Sequence, residues 1–299
     1  MPDEKIKVLF DTDLGSDIDD AVALAYLLSQ PRCELLGVTT ATGEPHRRAE
    51  MASAVCRNAG RDDVPIHAGC PEAMLIRMRQ DTAPQARALG EWACRRDFPP
   101  HTAVEFLRQT IRAHPGEVTL LAVGPLTNVG LLFATDPEAP GLLKRLVLMC
   151  GRFFTRMGGE WNAIGDPHAT AIVYGAGHQS RPPRHVSFGL DVTTRCLLDA
   201  DDCRRRFTAK VLQPVRDFAE VWFQHRDRIC FHDPLAAAGI FQPELCEYRT
   251  GKVTVSLAPP TMGWTVFAEN AEDVEHAPHT VACEVNAEAF FEHYFDVVR

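Results

Sequence analysis

The first 40 residues alternate between short apolar runs and one amphipathic segment. Residues 7–10 form a short, mainly apolar run, which is typical of a buried strand. A helix with a wide apolar face is predicted from Asp19, and Pro31 ends it. Residues 35–39 predict the next strand. A strand, a helix and a strand within about 35 residues make a βαβ unit, so we expect the two strands to be parallel.

The same alternation continues along the chain. It predicts further helices at residues 49–59, 102–113, 127–134 and 169–174. It predicts further strands at residues 64–67, 118–123, 146–149 and 185–190. We therefore expect an α/β fold: a single large Rossmann-like domain over residues 1–299, with a mostly parallel doubly wound sheet and peripheral helices.

Three stretches depart from this alternation. Residues 71–100 are rich in prolines and charges, and we interpret them as a loop and short helix that form a flap over the site. Residues 199–230 look helical and mixed in polarity, which we interpret as a helical lid or subdomain. Residues 253–257 and 264–267 alternate in polarity around a Pro-Pro turn, and this pattern predicts a β-hairpin.

Composition excludes several classes of protein. A net charge of −9 argues against a general nucleic-acid binder, because phosphate contacts need a basic surface. No run approaches the roughly 20 apolar residues that span a bilayer, and the N-terminus has no signal-peptide pattern, so we expect a cytoplasmic protein. The ten cysteines include no Cys-x-x-Cys pair, so we expect reduced thiols and no structural zinc site.

Five aspartates crowd the junction between the first strand and the first helix. In an open parallel sheet, ligands bind beyond the carboxyl ends of the strands, where this cluster lies. The carboxylates repel one another, and no Lys or Arg occurs between Lys7 and Arg32 to offset the repulsion. A hard divalent cation, calcium or magnesium, is the simplest remaining partner, although a single aspartate there could simply cap the helix. The aspartates are Asp11, Asp13, Asp17, Asp19 and Asp20.

The cluster sits in a segment that resembles a known signature. Residues 11–21 (DTDLGSDIDDA) are similar to the N-terminal signature of the inosine-uridine-preferring nucleoside hydrolases. Four later segments resemble that family in the same order, over roughly residues 7–240. They are residues 37–43 (GVTTATG), 123–128 (VGPLTN), 160–162 (EWN) followed by 166–167 (DP), and 232–234 (HDP).

This resemblance implies an activity and a set of site residues. The activity is hydrolysis of the N-glycosidic bond of a ribonucleoside, giving ribose and free base in purine or pyrimidine salvage. It implies one Ca²⁺, a small-molecule nucleoside or riboside substrate, and a homo-oligomer, a dimer or tetramer. The implied calcium ligands are Asp13, Asp20, the backbone carbonyl of Thr127, and Asp233. Asp13 would also be the general base that activates water. His232 would be the second catalytic residue, near the leaving base, which it could protonate or pack against. Asp19, Asn162 and Glu160 would bind the ribose.

The sequence departs from the family pattern in three places. Its signature is two residues longer than the commonest form, because Asp17 and Ile18 intervene, so Asp17 could take the ribose contact assigned to Asp19. Glu44 stands where the family usually offers a ribose-binding asparagine, and we expect it to contact the substrate. A second asparagine is absent before Glu160, where the chain offers Arg152 and Arg156. These changes predict a substrate that differs at its 5′ end.

Two other functions compete with this hypothesis. The Asp11-Thr-Asp13 start after a strand is similar to that of haloacid-dehalogenase-like phosphatases, which use magnesium and an aspartyl nucleophile. The later segments have no place in that superfamily. A non-catalytic ribose or nucleoside binder that keeps the metal site is the third hypothesis, and it predicts binding without release of free base.

Overall fold

The computed structural model describes residues 5–90, 92–154, 158–176, 183–269 and 279–299, so Arg156 lies outside the described residues. A nine-stranded sheet has the strand order β10-β9-β11-β6-β5-β4-β1-β2-β3, and β7 and β8 pair separately. The strands are β1 (Ile6–Thr12), β2 (Cys33–Thr40), β3 (Ile66–Ala68), β4 (Val118–Ala122), β5 (Arg145–Met149), β6 (His185–Phe188), β7 (Leu197–Asp199), β8 (Arg228–Cys230), β9 (Cys246–Val255), β10 (Thr265–Ala268) and β11 (His279–Val285).

The sheet is mostly parallel, as the sequence predicts. The seven strands from β11 to β3 run parallel, while β9 is antiparallel to β11 and β10 is antiparallel to β9. The predicted hairpin is confirmed, since Val253 of β9 pairs with Phe267 of β10. Strand β1 lies between β2 and β4, so the chain leaves it first on one side and later on the other. This reversal places a crevice beyond the carboxyl end of β1.

Helices cover both faces of the sheet. They are α1 (Asp19–Ser29), α2 (Pro45–Asn58), α3 (Ala103–Ala113), α4 (Thr127–Thr135), α5 (Ala139–Leu142), α6 (Trp161–Gly165), α7 (Pro167–Gly175), α8 (Leu190–Thr193), α9 (Ala200–Arg206), α10 (Gln213–Trp222), α11 (His232–Phe241) and α12 (Ala287–Val297). None of these described helices combines the length and apolarity that crossing a membrane requires.

The two hydrophobic cores follow from the period-2 alternation of β1. Val8 and Phe10 pack into a core with helices such as α1 and α12. Leu9, between them, joins a second core with α3 and α4 on the opposite face. All three side chains are fully buried, so the strand is fixed from both faces. The turn after β1 therefore begins from a rigid point.

The two irregular stretches both adjoin the crevice. Residues 71–90 and 92–100 form an extended loop with a 3₁₀ turn at Pro84–Ala88, consistent with the predicted loop and short helix. Residues 199–230 contain α9 and α10. The antiparallel pairing of β7 with β8 brings the two ends of this segment together. Their helical content is confirmed, while their roles as flap and lid stay predictions.

Candidate active site

A cavity of about 480 Å³ opens at the carboxyl end of β1, within the usual size range of ligand pockets. Its lining comes from the turn of residues 13–18 after β1 (the signature turn), from the carboxyl ends of β4 and β5, and from helices far apart in sequence. The lining residues include Asp13, Asp17, Asp19, Asp20, Gln80, Val123, Met149, Glu160, Trp161, Asn162, Leu190, Trp222, Arg226, His232 and Asp233. Seven of the nine residues that the sequence assigns to the site therefore face one space.

Three buried aspartates form a candidate cation site at this cavity. Asp19, Asp20 and Asp233 each offer an oxygen, and these atoms lie within 4.8 Å of one another. The backbone N–H of Asp233 also donates to Asp19 Oδ2 at 3.0 Å, which ties α11 to α1. Burial raises the pKa of all three carboxyls well above the usual value, and the neighbouring aspartates raise it further. Three hard oxygen donors this close together fit a divalent cation.

Asp13 lies beside this trio but outside it at that spacing. Its side chain is 5% exposed, and Gly124 packs directly against it. A Cβ on Gly124 would be 2.9 Å from Asp13 Oδ1. Burial raises the pKa of Asp13, while the positive charge of Arg48 opposes the rise. The predicted base is thus buried and tightly packed, with carboxylates and the guanidinium of Arg48 nearby.

Arg48 is a site residue that sequence reasoning missed. It belongs to α2 and is completely buried. Its charge lowers the pKa of both Asp13 and Asp20 against the effect of their burial. No Lys or Arg lies close to the aspartates in sequence, between Lys7 and Arg32. Arg48 reaches them only because the fold packs α2 against the turn after β1. The aspartates therefore have an internal counter-charge as well as the capacity to bind a cation.

Asp17, the residue of the longer signature, also lines the cavity. Its Oδ1 accepts from the N–H of Ile18 at 2.6 Å. Burial raises its pKa to about 6, and Arg226 on the facing segment opposes the rise. Of the two alternatives for a ribose contact, Asp19 belongs to the carboxylate trio, whereas Asp17 lies toward Arg226.

Glu160 and Asn162 build one wall of the cavity. Glu160 caps α6 and accepts from the N–H groups of Asn162, Ala163 and Gly151 at 2.7–3.0 Å. Asn162 Nδ2 donates to the backbone carbonyls of Val123 and Met149 at 2.6 and 3.0 Å. Both side chains are almost fully buried. These bonds join the ends of neighbouring strands, so the wall is pre-organised.

His232 begins α11 and faces the same cavity. Its Nδ1 lies 2.7 Å from Thr193 Oγ1, and Cys230 Sγ approaches the same nitrogen at 3.6 Å. Burial lowers the pKa of His232 to about 4. The ring is therefore neutral near pH 7 and is held by one nitrogen.

Two tryptophans and an arginine surround the mouth of the cavity, and sequence reasoning missed all three. Trp161 is 46% exposed, although it follows the buried Glu160 directly. Trp222 ends α10, and the guanidinium of Arg226 lies 5.4 Å from its ring centroid. The sequence does hold a signal for Trp161, because it lies between Glu160 and Asn162 and is one of only four tryptophans in the chain. Partly exposed aromatic rings that line a cavity suit a planar ligand group.

Two residues predicted for the site point elsewhere. Glu44 Oε2 accepts from the N–H of Ala83 at 3.0 Å. Its carboxylate therefore holds the loop of residues 80–86, the 80s loop, and does not line the cavity. Thr127 is also absent from the cavity lining, and its hydroxyl donates to Asp166 at 2.8 Å. As the first residue of α4, Thr127 directs its carbonyl along the helix. Val123, at the end of β4, lines the cavity in its place.

Asp11 and Asn128 support the site from behind. Asp11 Oδ1 accepts from Thr39 Oγ1 at 2.5 Å and from Asn128 Nδ2 at 2.8 Å. Asn128 also donates to the Thr40 carbonyl at 3.1 Å and accepts from the N–H of Cys70 at 3.0 Å. Burial raises the pKa of Asp11 to about 6. This network joins the ends of β1, β2 and α4, and it makes both residues structural.

Comparison with known proteins agrees with this architecture. The family model for inosine-uridine preferring nucleoside hydrolase matches residues 8–292. Uridine nucleosidase 1 of Arabidopsis thaliana is 29% identical, covering 96% of this chain and 91% of its own. The pyrimidine-specific ribonucleoside hydrolase RihA of Citrobacter koseri is 30% identical, covering 80% of each chain.

A solved structure shows the same fold. The purine-preferring ribonucleoside hydrolase from Gardnerella vaginalis superposes with a TM-score of 0.84 over 98% of both chains, at 22% identity. The family match spans the signature and the 123–128 and 232–234 segments. The chain therefore belongs to the inosine-uridine preferring nucleoside hydrolase family and is an N-glycosyl hydrolase of ribonucleosides.

Proposed function

We propose that this enzyme hydrolyses ribonucleosides with a calcium ion held by the buried aspartates and with Asp13 as the general base. The observation that carries the proposal is the position of Asp13 beside the trio of Asp19, Asp20 and Asp233, at a cavity of ligand size. A carboxylate group, a cation site and a substrate cavity in one place match the needs of metal-assisted hydrolysis.

The residues that would hold the ion are Asp20 and Asp233, together with Asp19 or Asp13 as a third carboxylate. The carbonyl of Val123 is the backbone oxygen that we place there, since Thr127 does not face the cavity. Several anionic oxygens suit calcium, which accepts six to eight oxygen ligands. When bound, such an ion would supply Lewis-acid polarisation and orient ribose hydroxyls and water.

Asp13 takes the proton of the attacking water in this proposal. Its burial raises its affinity for a proton, and Arg48 keeps its ionised form accessible. The neighbouring carboxylates also favour the positive charge that develops on the ribose ring as the glycosidic bond lengthens. Removing this carboxylate should therefore stop turnover while the packed strand β1 keeps the fold.

The remaining residues bind the two halves of the substrate. Asn162 and Glu160 form a rigid wall suited to the ribose hydroxyls, since backbone bonds already fix both side chains. The neutral imidazole of His232 would contact the leaving base. The ring of Trp222 would pack against the face of that base. Glu44 leaves the substrate-binding set, because it is engaged with Ala83.

Uridine is the first substrate to test. Two of the relatives are named a uridine nucleosidase and a pyrimidine-specific ribonucleoside hydrolase. Because Glu44 is turned away from the cavity, the carboxylate does not clash with a plain 5′-hydroxymethyl group. An ordinary ribonucleoside is therefore the substrate that we propose first.

The decisive experiment measures release of free base and ribose from uridine, cytidine, inosine and p-nitrophenyl riboside. The wild-type protein is assayed after chelation and again after calcium is restored. Asp13→Asn should lower kcat at least about 10²-fold, the usual contribution of a general base. Asp201→Asn is the matched control, because that side chain is 81% exposed. Undiminished hydrolysis by Asp13→Asn would remove the proposed base, and riboside binding without base release would indicate a non-catalytic binder.

A further inference from the structure

The guanidinium of Arg48 joins three segments that come together beneath the signature turn. Nη1 donates to the carbonyls of Asp13 and Leu14, the latter at 3.1 Å, and to Ser16 Oγ at 2.8 Å. Nε donates to the Thr42 carbonyl at 2.7 Å, and Nη2 to the Thr82 carbonyl at 3.2 Å. The turn after β1, the loop before α2 and the 80s loop thus share one side chain.

A fully buried arginine is unusual, and this one uses only neutral acceptors. Its five hydrogen bonds go to four backbone carbonyls and one hydroxyl. Its positive charge is therefore not cancelled by a hydrogen-bonded carboxylate and acts on Asp13 and Asp20 nearby. Burying an isolated charge is costly. Here the five hydrogen bonds and the attraction to Asp13 and Asp20 offset that cost.

Two residues in the loop before α2 have positive φ angles where this loop contacts Arg48. Thr42, whose carbonyl receives Nε, has φ = 74°, an uncommon value for a β-branched residue. Gly43 follows with φ = 59°, and a Cβ there would lie 2.4 Å from the Gln80 carbonyl. The loop before α2 therefore holds an unfavourable conformation that aims a carbonyl at the guanidinium and lets the 80s loop approach closely.

The 80s loop is fastened to the same place by neighbouring residues. Glu44 lies one helical turn before Arg48 and accepts from the N–H of Ala83 at 3.0 Å. The Gln85 N–H donates to the Gly15 carbonyl at 3.2 Å, and Gln85 Nε2 to the Ser16 carbonyl at 3.1 Å. The loop carries Gln80, which lines the cavity. The first turn of α2 thus connects the signature turn to a wall of the cavity.

We propose that Arg48 is a positioning residue that clamps the extended signature turn onto the 80s loop, so that Asp13 faces the cavity in a fixed orientation. This rests on the proposed function only for the role of Asp13. The clamp acts on Asp13, Leu14 and Ser16, within the turn that joins β1 to α1. Three of the five hydrogen bonds of Arg48 end in this turn and restrict its backbone freedom, while the other two hold the loops beside it.

The test compares two substitutions with a control on the same helix. Arg48→Met keeps the length and removes the donors and charge, whereas Arg48→Lys keeps the charge but loses the planar fork. Arg57→Met is the control, since Arg57 is 40% exposed, lies on the same helix and pairs with the exposed Asp62. Each protein is measured by hydrogen-exchange mass spectrometry without divalent ions, and by steady-state kinetics with calcium.

If the clamp is real, amide exchange in residues 13–18 and 80–86 rises at least about tenfold in Arg48→Met, while the other core strands stay protected. The kcat falls about 10²-fold with a smaller change in KM, as expected when a reacting group is misplaced. Arg48→Lys should lie between Arg48→Met and the wild type in both measurements, and Arg57→Met should match the wild type.

Wild-type exchange and kcat in Arg48→Met would overturn the proposal. If Arg48→Met does not fold, Arg48→Lys decides: unchanged exchange in both segments overturns the clamp, and faster exchange in both supports it. The exchange measurement needs no substrate. A wild-type protein that released no base from any nucleoside would therefore refute the proposed function, while the exchange result would still judge the clamp.

Discussion

Gly124 and Asp13 are in such close contact that a methyl group cannot be placed between them. An added Cβ on Gly124 would lie 2.9 Å from both the N and Oδ1 of Asp13. The approach arises because the Val123 N–H donates to the Asp11 carbonyl at 2.9 Å, which continues the pairing of β4 with β1. The glycine of the 123–128 segment is therefore required by packing against the proposed base.

Replacing this glycine should displace Asp13 while the fold is kept. We expect Gly124→Ala to lower kcat about 10²-fold, because a shift of roughly 1 Å in a reacting group has that effect. The measurement is steady-state hydrolysis of uridine together with thermal unfolding. Gly175→Ala serves as the control, since an added Cβ there meets no atom within 4 Å. Full activity in Gly124→Ala would show that the orientation of Asp13 is not limiting.

The contrast between Asp13 and Arg48 shows how far the sequence could lead. Asp13 follows an apolar strand directly, so local pattern and the rule for parallel sheets were enough to place it at the sheet edge. Arg48 contacts the same turn from 35 residues away, and no local pattern distinguishes a buried arginine from an exposed one on α2. Contacts between distant segments depend on how loops pack, which periodicity does not encode.

Glu44 and Thr127 illustrate a second limit. Both occupy positions where the resemblance placed a site residue, yet Glu44 binds Ala83 and Thr127 binds Asp166. A motif gives the order of residues along the chain, whereas the direction of a side chain or carbonyl depends on where the helix begins. Thr127 begins α4, whereas Val123, four residues earlier and directly after β4, is the residue that lines the cavity.

The acid cluster makes an unusual prediction about stability. Without a cation, three buried carboxylates within 4.8 Å repel one another, so neutralising one of them should stabilise the folded protein. We expect Asp233→Asn to have a higher Tm than the wild type in chelator at pH 8. It should also lose most of the Tm increase that calcium gives the wild type, because ligand stabilisation follows affinity for the folded state. Asp201→Asn should keep the wild-type response to calcium. An unchanged calcium shift in Asp233→Asn would exclude this carboxylate from the ion site.

The position of His232 predicts a dependence on the leaving group. A nucleobase leaves more readily when a neighbour donates a hydrogen bond or proton to it, whereas p-nitrophenolate is stable as an anion. We expect His232→Ala to lower kcat for uridine by about 10²-fold or more and to change kcat for p-nitrophenyl riboside much less. Equal losses on both substrates would show that His232 acts on the ribose or on folding instead. The unfolding transition of the variant, compared with the wild type, checks the latter.

A buried histidine away from the cavity predicts a pH dependence of stability. His185 on β6 is buried, and its ring contacts Ser187 Oγ at 2.7 Å. Burial, and then the neighbouring His279, hold the pKa of His185 well below 6.5 in the folded state. The unfolded chain, with a pKa near 6.5, therefore binds the proton first as the pH falls, so this residue's contribution is complete above about pH 6.5 and is lost below it.

Replacing His185 isolates this effect from the buried carboxylates, whose raised pKa values act in the opposite direction. We expect the free energy of unfolding of the wild type, relative to His185→Gln, to fall by up to about 1.4 kcal/mol per pH unit below pH 6.5. Urea unfolding of both proteins from pH 5 to pH 8, with saturating calcium, measures the difference. His225→Gln is the control, because His225 is exposed and its replacement should leave the pH profile unchanged. Parallel profiles for the wild type and His185→Gln would mean that the histidine is protonated within the fold, and the buried contact with Ser187 would then need another explanation.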